Sequence, residues 1–304
     1  MSERWLITGA TGFIGSHLAR ALLAEGVKVH LLILPDTRHL LGDLAPQCAV
    51  HEYDGKTESV IGLFDNIRPL GVFHLASVFL ASHETKDIAN MVASNILLGT
   101  QLCEGAVKSG TSYFVNTGTN WQHYNDAVYD PVCLYAATKQ AFEDILKFYL
   151  GTSPMQSVTL KLFDTYGTGD PRKKLINILA EAAVTQKTIS MSPGEQLLDI
   201  VHINDVVGAF ISTRKYLLSG NIGSYNEYGV SMGMGNRISL RDLVKRFETV
   251  IGCGMPVEFG GRSYRPREVM SPWTQFSTPP GWAARVPLDE GIREMVKEAR
   301  EKYQ

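Results

Sequence analysis

The chain has 304 residues, 44% of them hydrophobic and 20% charged, enough to bury a sizeable core and too apolar for a disordered or fibrous polymer. Its 29 basic and 31 acidic residues leave a formal charge of -2, which excludes a broad electropositive surface for nucleic acid and requires any anionic ligand to be held locally. The four cysteines, Cys48, Cys103, Cys133 and Cys253, form no CxxC pair, so neither a disulfide framework nor a metal site is expected.

The N-terminal stretch MSERWLITGATGFIG passes from charged residues straight into an apolar triplet and a glycine turn, without the apolar stretch and small-residue cleavage site of a secretory leader. Runs of about 18 apolar residues are also lacking, so no membrane span is expected and the protein is read as cytoplasmic. Trp5-Leu6-Ile7 predicts a strand, His17 to Glu25 a helix, and Val29 to Leu34 a second strand. The alternation continues with a strand at Val72-Phe73-His74-Leu75, a helix from Ile88 to Ser109, and a strand from Tyr113 to Asn116. A helix from Tyr135 to Leu150 and a strand from Ser157 to Phe163 follow. This rhythm predicts an α/β fold of Rossmann type, a doubly wound parallel sheet with helices on both faces. Beyond residue 165 turns take over, at Gly167-Thr168-Gly169-Asp170-Pro171, Ser192-Pro193-Gly194 and Pro279-Pro280-Gly281. Residues 1–165 are therefore assigned to the sheet domain, with some later segments returning to it, and 166–304 mainly to a smaller, loop-rich C-terminal lobe over the sheet edge.

The first strand runs into Thr8-Gly9-Ala10-Thr11-Gly12-Phe13-Ile14-Gly15 and then into a helix. Glycines there allow a tight turn and close approach of backbone N–H groups to a pyrophosphate, and the helix N-terminus adds partial positive charge. The spacing is GxxGxxG rather than the commoner GxGxxG. The segment from Gly9 through Thr11 and Gly12 to Phe13, Ile14 and Gly15 is thus the candidate cradle of a dinucleotide. At the end of the second strand, Leu32-Ile33-Leu34-Pro35, no acid is placed to bond a free adenosine ribose. Asp36 comes late and Arg38 follows as a possible phosphate partner, which favours NADP(H) while leaving NAD(H) open. Asp36 and Arg38 also fit as ordinary turn residues.

Tyr135-Ala136-Ala137-Thr138-Lys139 sets a phenol and an ammonium on one helix face, where the cation is expected to lower the phenol pKa and make it a proton donor or acceptor near neutral pH. With TGATGFIG, Asp54-Gly55, His74-Leu75-Ala76-Ser77, Asn95 with Gly99-Thr100, and Asp199 to Val206 (DIVHINDV), this segment resembles the extended short-chain dehydrogenase/reductases over nearly the whole chain. That family comprises nucleotide-sugar epimerases, dehydratases and ketoreductases. The resemblance implies that Tyr135 transfers a proton and Lys139 holds the nicotinamide ribose. It further implies that Asp54, beside Gly55, meets the adenine, that Ala76 and Ser77 flank the phosphates, and that Asn95 supports the cofactor site. The family's catalytic hydroxyl lies beyond the preceding strand, where Thr119 is the first choice and Thr117, also a candidate cofactor contact, the second. Phe79, Asn120 and Asp164 are implied substrate contacts, and Arg265 and Arg267 are candidates for a diphosphate, although either also suits a surface ion pair. By the same analogy the protein is expected to be a homodimer.

Two departures shape the functional reading. Sugar dehydratases of the family carry an Asp-Glu pair where this chain has Asn120-Trp121, which disfavours dehydration, and many epimerases carry an Arg where Leu198 precedes Asp199. The stretches Asn116 to Gln122 and Met191 to Gln196 resemble nucleotide-linked 4-keto-deoxysugar reductases of the CDP-paratose and CDP-abequose synthase type. The leading expectation is NADPH-dependent reduction of a C4 ketone on such a sugar. The alternatives are a nucleotide-sugar 4-epimerase with retained NAD, and a non-catalytic nucleotide-binding regulator.

Overall fold

The structure, a computed structural model, describes residues 3–220 and 223–303. In chain order it contains β1 (Arg4–Thr8), α1 (Phe13–Ala24), β2 (Lys28–Ile33), β3 (Ala49–Glu52), α2 (Thr57–Ile67), β4 (Gly71–His74) and α3 (Ile88–Val92). A π-helical turn (Ala93–Leu97) joins α3 to α4 (Leu98–Ser109), and β5 (Tyr113–Thr119), α5 (Leu134–Gly151) and β6 (Gln156–Leu162) complete the alternating half. Then come β7 (Asp164–Tyr166), α6 (Leu175–Thr185), β8 (Ile189–Met191), β9 (Leu197–Leu198), β10 (Ile200–His202), α7 (Ile203–Leu218) and β11 (Tyr225–Val230). The last elements are β12 (Ile238–Ser239), α8 (Leu240–Ile251), β13 (Val257–Phe259) and α9 (Leu288–Tyr303).

The described strands form a seven-stranded sheet in the order β11-β6-β5-β4-β1-β2-β3, every neighbouring pair parallel. Strand order reverses between β1 and β4, so the loops at their C-terminal ends diverge and leave a crevice, the usual ligand site of such sheets. Both sheet faces are covered, as continuous apolar strands require. Trp5 on β1 is fully buried and stacks on Phe73 of β4 with ring centroids 4.5 Å apart, on the side closed by α1 and α7. Leu6, Val72 and Phe114 face the other way and pack with Phe64, Leu102 and Phe142 from α2, α4 and α5.

A third apolar cluster joins α6, α8 and α9 through Leu179, Leu243, Phe247, Ile292 and Met295. The stretch beyond residue 165 is therefore richer in helix than its turns suggested. Its remaining strands pair only in twos, β10 with β7, β12 with β9 and β13 with β8. On the sheet, β11 lies against β6, so the chain returns to the sheet after leaving it.

Candidate active site

The crevice at the C-terminal ends of β1, β4 and β5 opens into a cleft of about 790 Å³. Gly9, Thr11, Gly12, Phe13, Ile14 and Gly15 line one end of it, and Ala76, Ser77 and Phe79 enter from the loop after β4. Thr117, Thr119 and Asn120 come from the end of β5, Tyr135 and Lys139 from α5, and Asp164 from β7.

The glycine turn is shaped by contact as well as by conformation. Gly9 has φ +77°, and a Cβ there would come within 2.7 Å of the Ala76 nitrogen, so only glycine lets the turn touch the loop after β4. A side chain at Gly15 would run into the Gly9 carbonyl. Gly12 caps α1 with extended backbone and no side-chain hydrogen bond, and the first turn, Phe13-Ile14-Gly15-Ser16, is neutral. The first N–H groups of α1 thus face the cleft, a donor set that suits a pyrophosphate.

Helix α5 buries Ala136, Lys139, Phe142, Glu143 and Leu146 on one stripe. Lys139 is 1% exposed, and its ammonium finds no hydrogen-bond partner among the described residues. Burial pushes its pKa down to about 8, with Glu143 opposing the shift and Lys161 adding to it. Burial dominates at Tyr135 as well and raises the phenol pKa, while a hydrogen bond with Ser77 and the charge of Arg172 oppose the rise. The expected lowering by Lys139 is therefore not what the structure gives, because desolvation of the phenol outweighs its charged neighbours. The Tyr135 ring stands edge-on to Phe79, with centroids 4.9 Å apart.

Thr119 ends β5 and caps a short helical turn, its Oγ1 accepting the Trp121 N–H at 3.3 Å. Its own proton stays available to a ligand oxygen. Thr117 Oγ1 is buried and has no partner among the described residues. Asp164 lines the cleft and is exposed to it. Burial raises its pKa, Lys174 and Arg265 oppose the rise, and Asp199 adds to it.

The remaining candidates lie outside the cleft wall. Arg38 is exposed on the short helical turn beyond β2, with no ion pair among the described residues. Asp54 accepts the Lys56 N–H at 2.9 Å and the Ser59 hydroxyl at 2.8 Å, and Gly55 follows with φ +84°. Asn95, in the π-helical turn, accepts the Val78 N–H at 2.8 Å and the Ser77 hydroxyl at 3.1 Å, and donates to Thr138 Oγ1 at 2.9 Å. It thereby fastens the loop carrying Ser77 and Phe79 to α5. Arg265 pairs with Glu268 at 3.1 Å and lies 5.6 Å from the Trp121 ring centroid, while Arg267 pairs with Asp130 and stacks over Tyr124.

Other cleft residues went unrecognised in the sequence, notably Arg172 and Lys174. Arg172 is gripped by Asp170 at 2.7 Å, and Lys174 stands 5.7 Å from the Phe79 ring centroid. The basic run Arg172-Lys173-Lys174 was the available signal, but it sits in a loop with no period to orient it.

The family model described as "NAD dependent epimerase/dehydratase family" matches residues 5–225. CDP-abequose synthase of Salmonella typhimurium is 27% identical, over 98% of this chain and 98% of its own. UDP-glucose 4-epimerase of Mycolicibacterium smegmatis is 28% identical, over 99% of this chain and 100% of its own. The solved UDP-glucose 4-epimerase of Thermus thermophilus, in complex with NAD, superposes with a TM-score of 0.80 at 25% identity, covering 98% of this chain and 99% of that one.

Proposed function

The chain belongs to the NAD dependent epimerase/dehydratase family, and from that premise we propose that it reduces the C4 ketone of a nucleotide-linked deoxysugar with NADPH. It is an enzyme of the NAD(P)-dependent oxidoreductase type. The carrying observation is the meeting, in one cleft, of the Thr119 hydroxyl, the Tyr135 phenol and an apolar shelf of Phe79 and Trp121, whose centroids are 5.6 Å apart. A sugar face stripped of hydroxyls packs well on aromatic rings and demands few hydrogen bonds there. The names of the CDP-abequose synthases among the relatives support the same substrate class.

The residues fit a nicotinamide dinucleotide. The glycine turn and open α1 N-terminus would hold its pyrophosphate, and the Lys139 ammonium, without a hydrogen-bond partner among the described residues, its ribose hydroxyls. When bound, the cofactor supplies the hydride for the sugar carbon. Thr119 donates a hydrogen bond to the C4 oxygen, and Tyr135 delivers the proton that completes the alcohol. Asn120-Trp121 offers no carboxylate pair for dehydration.

NADPH should bind more tightly than NADH, because Leu34, at the cleft end of β2, brings no carboxylate and the exposed Arg38 guanidinium is held by no ion pair among the described residues. Arg38→Ala should cost about tenfold in NADPH affinity and leave NADH unaffected, the scale of one charge-assisted hydrogen bond. A fluorescence titration with both cofactors checks this, and an NADH preference in the unaltered protein would count against it.

The reaction itself is read from NADPH absorbance with a nucleotide-linked 4-keto-6-deoxy or 3,6-dideoxy sugar. One NADPH should disappear per new C4 hydroxyl. The UDP-glucose 4-epimerase among the relatives supports a second reading, in which a saturated nucleotide sugar is inverted at C4 with no net loss of cofactor. That outcome would replace the reductase, and cofactor binding without turnover of either substrate would leave a regulator. The working form we take to be a cytoplasmic homodimer. Among the described residues no helix is long and apolar enough to cross a membrane, and Leu97 and Phe148 stay exposed beside α4 and on α5.

A further inference from the structure

The buried stripe of α5 carries two charged residues one turn apart, Lys139 and Glu143, each 1% exposed. Lys139 lines the cleft, whereas Glu143 lies behind its wall. Glu143 Oε2 accepts from Lys161 Nζ of β6 at 2.8 Å, and its Oε1 accepts from Gln122 Nε2 at 3.1 Å. The same amide nitrogen donates to Gln140 Oε1 at 2.8 Å, while Gln122 Oε1 accepts the backbone N–H of Thr119 at 2.9 Å. A continuous chain of hydrogen bonds therefore runs from the Lys161 ammonium to the residue that bears the cleft hydroxyl. Gly118 makes room for it, since a Cβ there would come within 2.7 Å of Lys161 Cδ and 2.8 Å of Glu143 Oε1.

Fold stability alone does not call for this arrangement. A buried ion pair is often matched or surpassed by apolar side chains of equal volume, because two charges must be dehydrated to form it. Its location, under the end of β5 and one turn along α5 from Lys139, suggests another role. Resting on the parts proposed above for Thr119 and Lys139, we infer that Gln122 and Glu143 are positioning residues. Gln122 fixes the backbone from which the Thr119 hydroxyl enters the cleft, and the Glu143 carboxylate keeps the neighbouring Lys139 ammonium charged.

Among the described residues, the other charged and titratable groups that act on the pair are His74 on β4, Lys161 on β6, Tyr225 and Glu227 on β11, Tyr129 in the loop before α5, and Tyr135 on α5 itself. Lys161 also reaches Glu227 at 3.3 Å, so it keeps one anionic partner if Glu143 is neutralised. Burial raises the Glu143 pKa and Lys161 opposes the rise. For Lys139, Glu143 favours the charged form and Lys161 disfavours it.

Two variants of the full-length protein test the two halves. In Glu143→Gln, NADH and NADPH binding, followed by fluorescence against pH, should fall away on the alkaline side about one pH unit earlier than in the unaltered protein. A purely structural carboxylate would change the melting temperature and leave that midpoint in place, which would overturn this half. In Gln122→Met, kcat on the 4-keto sugar should drop tenfold or more while KM stays within about threefold and the cofactor Kd is unchanged. An unaltered kcat would overturn the other half. The binding midpoint needs no sugar substrate, so failure of the unaltered protein to reduce any keto sugar would strike the proposed reaction without touching the Glu143 result.

Discussion

Tyr135→Phe is expected to bind NADPH as the unaltered protein does and to lose turnover by about 10²- to 10⁴-fold, the usual contribution of a placed proton donor. The ring and its edge contact with Phe79 at 4.9 Å survive the substitution, so the cleft keeps its shape. The hydroxyl is removed, and with it the transferable proton and the hydrogen bond with Ser77. With Thr119 still bonded to the C4 oxygen but no acid beside it, hydride arrival would leave an alkoxide with no group positioned to protonate it. Fluorescence titration of NADPH and initial rates on the keto sugar separate the two effects. Turnover within tenfold of the unaltered protein would mean that another group delivers the proton, and the roles assigned to Tyr135 and Thr119 would be wrong.

Lys139→Met should have opposite effects on stability and function. The ammonium is buried without a partner among the described residues, and its pKa is pushed down to about 8 from the ordinary 10.5. Between those two values the unfolded chain holds a proton that the folded chain has released, so stability rises with pH through this window. Below about pH 8 the charged lysine imposes its full cost, roughly 3 kcal/mol for a gap of this size. Methionine fills similar space without the charge, so at pH 7 the ligand-free variant should melt higher and lose most of the rise between pH 8 and 10.5. Cofactor affinity should fall about tenfold or more and activity with it. Thermal melts across pH and a cofactor titration check the pair, and a variant that melts lower at pH 7 would contradict the assignment of Lys139 as an unsatisfied buried cation.

The parts of the fold that were legible in the sequence are those whose local signals agree with their surroundings. Trp5-Leu6-Ile7 and Val72-Phe73 are buried on both faces and show it as unbroken apolar runs. By contrast β3 has the exposure of an edge, with Ala49 and Glu52 exposed and Val50 and His51 only half buried, so no run marks it. The strand ending in Thr119 is longer than its apolar part, because Asn116, Thr117 and Gly118 pair with β6 through backbone that composition does not reveal. The cleft was legible where a motif spans one turn, as in Gly9 to Gly15 and Tyr135 to Lys139. It was illegible where distant segments meet. Glu143, Gln122 and Lys161 lie on three separate elements, and no local pattern announces that they touch. For Arg265 a ligand role was expected from its position in the chain. The structure gives it an ion pair with Glu268 and a place against Trp121, outside the cleft wall.

The π-helical turn between α3 and α4 holds one more residue than an α-helical path of the same span. Each residue of an α-helix advances the side chains by about 100°. The wider turn spends its five residues on about the arc that four cover at that rate, so deleting one within Ala93–Leu97 would restore a regular helix with α3 and α4 in nearly their present phase. Asn90 would keep its place on the cleft, whereas the amide now at position 95, inside the altered turn, would no longer meet Val78, Ser77 and Thr138 together. The extra residue thus decides where one buried amide is aimed, while the helices on either side would keep their bearing without it.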